Sequence, residues 1–174
     1  MVRAAYVIEY RGAYDFSLSP AAMWEAIEHA ERFEGWWGWL GEFRLDGRGL
    51  VPGAVLRGLV SPPVPYRMRV QVHLVECQAP HRIDASVAGD LVGPAHLRMS
   101  PSATGSGTHA EVDWTLEMMQ RPMRLAARVA HPLLRWGHDR VVEATVSGFR
   151  RHVEGPEEPE EPEEPEGPER PEGQ

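Results

Sequence analysis

The sequence predicts an α+β fold in which an antiparallel sheet carries helices on one side. From Phe43 to Met119, apolar and polar residues alternate with the period of two that is typical of strands, and short turn-like segments interrupt them. Before and after this region the apolar spacing is that of helices. Because the links between the strands are too short for parallel crossovers, we expect antiparallel pairing.

The first 40 residues predict one strand and two helices. Residues 4–18 are rich in aromatic and β-branched types, which favour extended structure. Ser19 and Pro20 suit the N-cap and first position of a helix that continues as AAMWEAIEHAER. The segment FEGWWGWL, residues 33–40, predicts a short second helix or a turn. We interpret its three tryptophans as aromatic packing, with ligand stacking as the alternative.

Five or six further strands fit the alternating region. Their approximate limits are residues 43–46, 53–60, 66–77, 82–89, 95–100 and 108–119. Between residues 68 and 74, and again between residues 110 and 118, every second residue is apolar. Each of these strands should therefore have one dry face and one wet face.

The chain continues as helix over residues 121–153, where Pro132 predicts either a kink or the start of a second helix. Leu134, Val141, Thr145 and Gly148 share one face of this helix, with His138 close beside them and Trp136 on the opposite side. Thr145 and Gly148 are small where a filled core would favour large residues. We therefore expect this face to border a partly polar cavity.

Composition divides the chain into a domain, residues 1–153, and an acidic tail, residues 154–174. The tail has no aliphatic or aromatic side chain, so we expect it to be disordered. It holds ten of the 26 acidic and one of the 18 basic residues, which leaves 16 acidic and 17 basic residues in the domain. The domain is thus nearly neutral, and nothing in its charge favours nucleic acid. The tail is interpreted as a solvated extension, with docking on a basic protein partner as the alternative.

The sequence lacks several patterns that would indicate a cellular location or a cofactor. The single cysteine, Cys77, excludes an internal disulfide and slightly favours the cytosol. The first residues lack the pattern of a secretion signal, and no apolar run reaches the roughly 18 residues of a membrane span. The eight histidines show no metal-binding spacing. We expect a cytoplasmic protein without a membrane segment, metal or cofactor.

Several segments follow one another in a distinctive order along the chain: SPAAMWEAI with the tryptophans after it, PY at 65–66, AGDLVG at 88–93, GTHAEVDWTL at 107–116 and HPLLRWGHDRV. In this order and spacing, which cover residues 12–152, the chain resembles the SRPBCC or START/Bet v 1-like superfamily, and within it the bacterial polyketide cyclase/dehydrase-like proteins. The resemblance implies a helix-grip fold. In that fold, two short helices follow the first strand, and a curved antiparallel sheet wraps around a long C-terminal helix, leaving an elongated hydrophobic cavity.

The resemblance leaves three functions open, because the superfamily includes enzymes, carriers and receptors on one fold. The first is binding of a hydrophobic small molecule, such as a polyketide, lipid or quinone, inside the cavity. The second is an aromatase/cyclase or dehydratase that acts on a polyketide carbonyl substrate, with His138 as the acid–base group. The third is a non-catalytic interaction protein that uses its acidic tail.

The candidate ligand-binding residues combine apolar positions of the sheet and helix with a few polar groups. They are Trp37, Tyr66, Met68, Val70, Asp90, Arg98, Trp114, Leu116, Leu134, Val141 and Thr145. His138 is the candidate catalytic residue, with a hydrogen-bonded core histidine as the alternative. Three polar candidates also have structural interpretations: Tyr66 as a strand anchor, Asp90 as a turn residue, and Arg98 as a residue of the wet sheet face.

Overall fold

The computed structural model describes residues 7–103 and 105–155, without the side chains of residues 122–131. Apart from its first two residues, the acidic tail lies outside the described part of the chain. Its disorder, its docking role and the domain limits at residues 153 and 154 therefore stay predictions.

The described residues form seven strands and three α-helices. The strands are β1 (Val7–Phe16), β2 (Leu40–Asp46), β3 (Val55–Val60), β4 (Met68–Gln78), β5 (Arg82–Gly89), β6 (Leu91–Pro101) and β7 (Thr108–Met118). The helices are α1 (Pro20–Glu28), α2 (Phe33–Trp36) and α3 (Arg121–Val153), with a 3-10 turn at Ala30–Arg32. The element order is the predicted one.

One antiparallel sheet contains all seven strands, in the order β1-β7-β6-β5-β4-β3-β2. The sheet curves around α3, and the short helices follow β1. This confirms the predicted α+β class and the helix-grip architecture. As predicted, α1 starts at Pro20, and the Ser19 hydroxyl oxygen accepts a hydrogen bond from the Ala22 amide at 3.3 Å.

Helix α3 is a single helix of 33 residues. Pro132 lies inside it and does not start a second helix. Two of the strands begin earlier than their predicted limits, and each has a local cause. In β2 the pairing register shifts between Gly41 and Arg44, so the period of two is interrupted there. In β6 a glycine, Gly93, interrupts the strand pattern.

Gly93 lies within β6 although glycine next to proline is typical of a turn. Its φ is +150°, and a Cβ added there would lie 2.0 Å from the Thr115 carbonyl oxygen of β7. Glycine is therefore required for the close approach of the two strands. Pairing of Gly93 with Val87 shows that the residue continues the ladder to β5.

The core consists of two clusters of buried apolar residues. The larger cluster joins α1, the strands and the end of α3, and includes Phe16, Met23, Trp24, Leu74, Ile83 and Phe149. The smaller one surrounds Leu134, and includes Met68, Val87, Leu91, Leu116 and Met118. Several residues of each cluster also line the empty space described next.

Candidate functional site

A cavity of about 510 Å³ lies between the inner face of the sheet and α3. This volume is within the range of about 300 to 1,000 Å³ that is typical of small-molecule sites. Every strand contributes lining residues, and α1, α2 and the loop before β4 close the remaining sides. Helix α3 therefore covers the sheet without filling the space beneath it.

The walls are apolar because strand alternation directs one set of side chains inward. On β4 the inward set includes Met68, Val70 and Val72, and on β7 it includes Ala110, Val112, Trp114 and Leu116. Gly58 on β3 also leaves space for the neighbouring wall, because a Cβ at this position would lie 2.7 Å from the Leu40 side chain.

The tryptophan segment forms one end of the cavity. The Trp37 indole N–H donates a hydrogen bond to the Thr145 carbonyl oxygen at 2.9 Å, which attaches the segment to α3. The Thr145 hydroxyl donates to the Val141 carbonyl oxygen at 2.7 Å. The Trp37 and Trp39 rings are stacked, with centroids 5.6 Å apart. The polar atoms of Trp37 and Thr145 are thus satisfied, and these residues present apolar surface to the cavity.

Gly148 is small for a reason other than the expected one. A Cβ at this position would lie 2.6 Å from the Trp36 carbonyl oxygen and 2.9 Å from the Trp37 ring. The glycine permits close packing of the tryptophan segment on α3, so the cavity does not account for it. Thr145, in contrast, does line the cavity.

His138 lines the cavity about two helical turns from Thr145. Its side chain is 15% exposed, and its ring lies 5.4 Å from the Tyr10 ring and 5.6 Å from the Trp114 ring, centroid to centroid. Nδ1 lies 3.1 Å from an Asp139 carboxylate oxygen. Since a carboxylate only accepts, Nδ1 carries a proton, and in the neutral form of the ring the lone pair is on Nε2. Nε2 is buried and has no partner among the described residues.

Two tyrosines near the cavity, Tyr10 and Tyr66, have raised pKa values. Burial raises the pKa of Tyr66, which lines the cavity. Burial, and next the hydrogen bond with the Tyr14 hydroxyl, raise the pKa of Tyr10. Tyr10 also stacks on Trp114 at 4.5 Å between centroids, which holds the Trp114 ring in the wall. None of these groups supplies an anion to the cavity at neutral pH.

Most of the predicted site residues line the cavity, and three lie outside it. Those in its lining are Trp37, Tyr66, Met68, Val70, Trp114, Leu116, His138, Val141 and Thr145. Leu134 is buried in the smaller core cluster. Arg98 is on the outer sheet face, with Nη1 3.4 Å from the Asp113 carboxylate. Asp90 accepts a hydrogen bond from the Arg69 amide at 2.7 Å, and its carbonyl oxygen accepts one from the Met119 amide.

Trp39 is a lining residue that the sequence prediction missed. Its indole Nε1 is buried without a partner among the described residues, as is His138 Nε2. The signal in the sequence was the cluster FEGWWGWL itself, which was interpreted as aromatic packing. Gly38 and Trp39 lie in a turn that the hydrogen bond from the Leu40 amide to the Trp37 carbonyl oxygen closes at 2.9 Å, and Trp37 and Trp39 both line the cavity.

The described residues contain neither a metal-ligand cluster nor a membrane-spanning helix. No three His, Cys, Asp or Glu side chains among them are grouped so that they could hold a metal ion. None of their helices combines the length and apolar character needed to cross a bilayer.

Comparison with known proteins identifies similar structures. No family model and no curated protein matches the chain. A protein from Thermus thermophilus, TTHA0849, is 14% identical with a TM-score of 0.69, over 87% of this chain and 100% of that one. The Zhui aromatase/cyclase from Streptomyces sp. R1128 is 11% identical with a TM-score of 0.68, over 85% of this chain and 94% of that one.

A third similar structure is a double-domain protein. The di-domain aromatase/cyclase StfQ, from the steffimycin biosynthetic pathway, is 12% identical with a TM-score of 0.65. The match covers 87% of this chain and 52% of that one. At such identities the likeness shows the fold alone. The chain therefore has the helix-grip fold that these aromatase/cyclases also have.

Proposed function

We propose that this protein binds a hydrophobic small molecule of polyketide, lipid or quinone type in the cavity beneath α3. The observation that carries the proposal is the cavity itself, with about 510 Å³ and apolar walls from every strand. The shared fold of the Zhui and StfQ aromatase/cyclases supports a polyketide-like occupant. The cytoplasmic location predicted from the sequence is part of this proposal.

Apolar burial would supply most of the affinity. Removing about 300 Å² of apolar ligand surface from water stabilises a complex by roughly 7 kcal/mol before the costs of association. A hydrogen bond adds only about 1 kcal/mol. The walls would therefore determine how tightly a ligand binds, while the few polar atoms would determine which ligand binds and in which orientation.

A cavity-filling substitution tests this function. Val112 lines the cavity, so Val112→Phe should lower the affinity for the neutral dye Nile red at least tenfold, measured by fluorescence titration. The matched control is Val75→Phe, because Val75 is 61% exposed and lies outside the lining. The proposal is wrong if the two variants bind the dye equally well, or if the unmodified protein does not bind it.

Catalysis by His138 is a second candidate, and the free Nε2 lone pair is the observation that favours it. Nε2 would take a proton from a carbon between two carbonyl groups, and the resulting enolate would close a ring on a further carbonyl carbon. The proton would then return to the alkoxide formed there, and loss of water from this alcohol, followed by enolisation of the remaining ring carbonyl, would give the aromatic ring. Asp139 would hold the imidazole in the required tautomer.

The test compares two histidines. His138→Gln should slow cyclisation of a synthetic poly-β-ketone thioester more than 100-fold, followed by the absorbance of the aromatic product. His96→Gln, on the outer face of the sheet, should leave the rate unchanged. Equal rates in the two variants would exclude His138 from the reaction, and the binding function would remain.

A further inference from the structure

Two buried nitrogen atoms of the cavity wall have no hydrogen-bond partner among the described residues. They are Trp39 Nε1 and His138 Nε2. In the described part of the chain only one more buried side-chain nitrogen or oxygen, Arg82 Nε, is without one. The Arg82 guanidinium, however, is paired with Asp84 on the outer face. Buried polar atoms are normally paired, so unpaired atoms beside an empty space indicate positions where a ligand atom belongs.

The two atoms require opposite partners. An indole N–H only donates, so the ligand atom at Trp39 must be an acceptor. His138 Nδ1 donates to the Asp139 carboxylate, so in the neutral ring Nε2 accepts, and the ligand atom there is a donor. A ligand that satisfies both atoms therefore has an acceptor oxygen at one place and a hydroxyl group at another.

The two places lie on different elements of the wall. Trp39 belongs to the tryptophan segment, where its ring is stacked on Trp37, and His138 lies on α3. A ligand that reaches both atoms therefore has two separate oxygen functions. Aromatic rings flank both places, the Trp37 and Trp39 pair at one and Trp114 at the other, which suits a planar ring system.

The cavity also disfavours a charged ligand. Arg57 is the one guanidinium residue of the lining among the described residues. It is engaged elsewhere, because its Nε lies 2.5 Å from the Asp46 carboxylate. A carboxylate ligand would therefore be buried without a guanidinium partner, at a high cost in free energy.

We infer that the ligand is an uncharged, planar hydroxy-ketone, with its carbonyl oxygen at Trp39 Nε1 and its hydroxyl group at His138 Nε2. This inference rests on the proposed binding function and narrows its ligand class. Trp39 and His138 then select the ligand, while the apolar walls bind it.

Three naphthalene probes of similar size separate the two hydrogen bonds. The first, 6-acetyl-2-naphthol, has both oxygen functions at opposite ends. Its methyl ether lacks the donor, and 6-ethyl-2-naphthol lacks the ketone. Calorimetric titration should show that the unmodified protein binds the first probe about tenfold more tightly than either of the others, the ratio expected for one lost hydrogen bond.

Two variants assign the contacts. Trp39→Phe should weaken binding of 6-acetyl-2-naphthol about tenfold and leave 6-ethyl-2-naphthol unaffected. His138→Phe should weaken 6-acetyl-2-naphthol to the same degree and leave its methyl ether unaffected. The inference is overturned if the unmodified protein binds the three probes equally, or if each variant weakens all three alike. Either result leaves the binding function intact, whereas failure of all three probes and of Nile red to bind would overturn both.

Discussion

His96 lies on the outer face of the sheet and His138 lies on α3, across the cavity from the inner face, and the two differ in what surrounds their nitrogen atoms. On the outer face, His96 Nδ1 is 2.7 Å from Asp84, whose carboxylate also binds Arg82. On the inner side, His138 contacts Asp139 through Nδ1 and leaves Nε2 buried without a partner among the described residues. The outer face is thus a set of paired charges, whereas the inner face is an apolar wall with a few unpaired atoms. The difference supports the proposal that the inner histidine contacts a ligand, whereas the outer one is engaged in an ion-pair network.

The largest expected difference between the two sheet faces is in how much an introduced carboxylate lowers the free energy of unfolding. Ala110, on β7, is 2% exposed and lines the cavity, so Ala110→Asp should lower the free energy of unfolding by about 3 to 5 kcal/mol. Thr115→Asp, on the exposed side of the same strand, should cost no more than about 1 kcal/mol, even though it places a like charge opposite Glu9. Urea unfolding measures both values. Similar losses in the two variants would mean that the inner face is wet.

A second, smaller effect concerns the packing of the tryptophan segment on α3. Gly148→Ala places a methyl group against the Trp36 carbonyl oxygen, so it should lower the free energy of unfolding by about 1 to 3 kcal/mol. Gly35→Ala is the control, since nothing lies within 4 Å of a Cβ added there. Thermal unfolding of the two variants, followed by circular dichroism, tests this. An unchanged melting temperature in Gly148→Ala would contradict the close packing.

The ion pairs on the outer face of the sheet, such as Arg82 with Asp84, should contribute less to the free energy of unfolding. Their contribution should also depend on pH. The hydrogen bond from Arg82 is the main cause of the lowered pKa of Asp84. A lowered pKa in the folded state stabilises the protein above the unfolded-state pKa of about 4. This contribution is lost as pH falls through the folded-state pKa.

Asp84→Asn should therefore cost about 1 kcal/mol at pH 7 and progressively less below about pH 4. Urea unfolding of both proteins at several pH values measures the difference between them. A difference that stays constant from pH 7 to pH 3 would show that Asp84 does not act through its charge.

The smallest effect is expected on the outer side of α3. Trp136 is 45% exposed, which agrees with its predicted position on the side of α3 opposite His138. The Arg140 guanidinium lies over its ring, 5.9 Å from the centroid. Trp136→Ala should change the free energy of unfolding by about 0.5 kcal/mol and leave Nile red binding unaltered. A loss of dye binding in this variant would mean that the ligand site extends beyond the cavity.

The sequence predicted the fold more completely than the site, for physical reasons that particular residues show. Strand alternation and the helical spacing of α3 are local patterns, so they correctly assigned Met68, Trp114 and Val141 to the inward faces. The same alternation left Arg98 open between two interpretations, and its pairing with Asp113 on the next strand depends on register. Register and loop closure are long-range properties that a single strand pattern does not contain.

Other site features depend on contacts between distant segments. Asp90 bonds to Arg69, which is 21 residues away in sequence, and the packing that explains Gly148 comes from Trp36. The unpaired Trp39 nitrogen could be identified only once the residues around it were placed. Apolar pattern thus predicts where a cavity lies, whereas the hydrogen-bonding character of its wall requires the three-dimensional arrangement.

Native mass spectrometry of the protein purified from its own host tests the central claim most directly. Under gentle conditions we expect the intact chain to carry one additional small molecule, which is released when the collision energy is raised, and Val112→Phe should reduce the bound fraction. Detection of the bare polypeptide mass alone, in both the unmodified protein and the variant, would contradict the claim that the space beneath α3 holds a ligand.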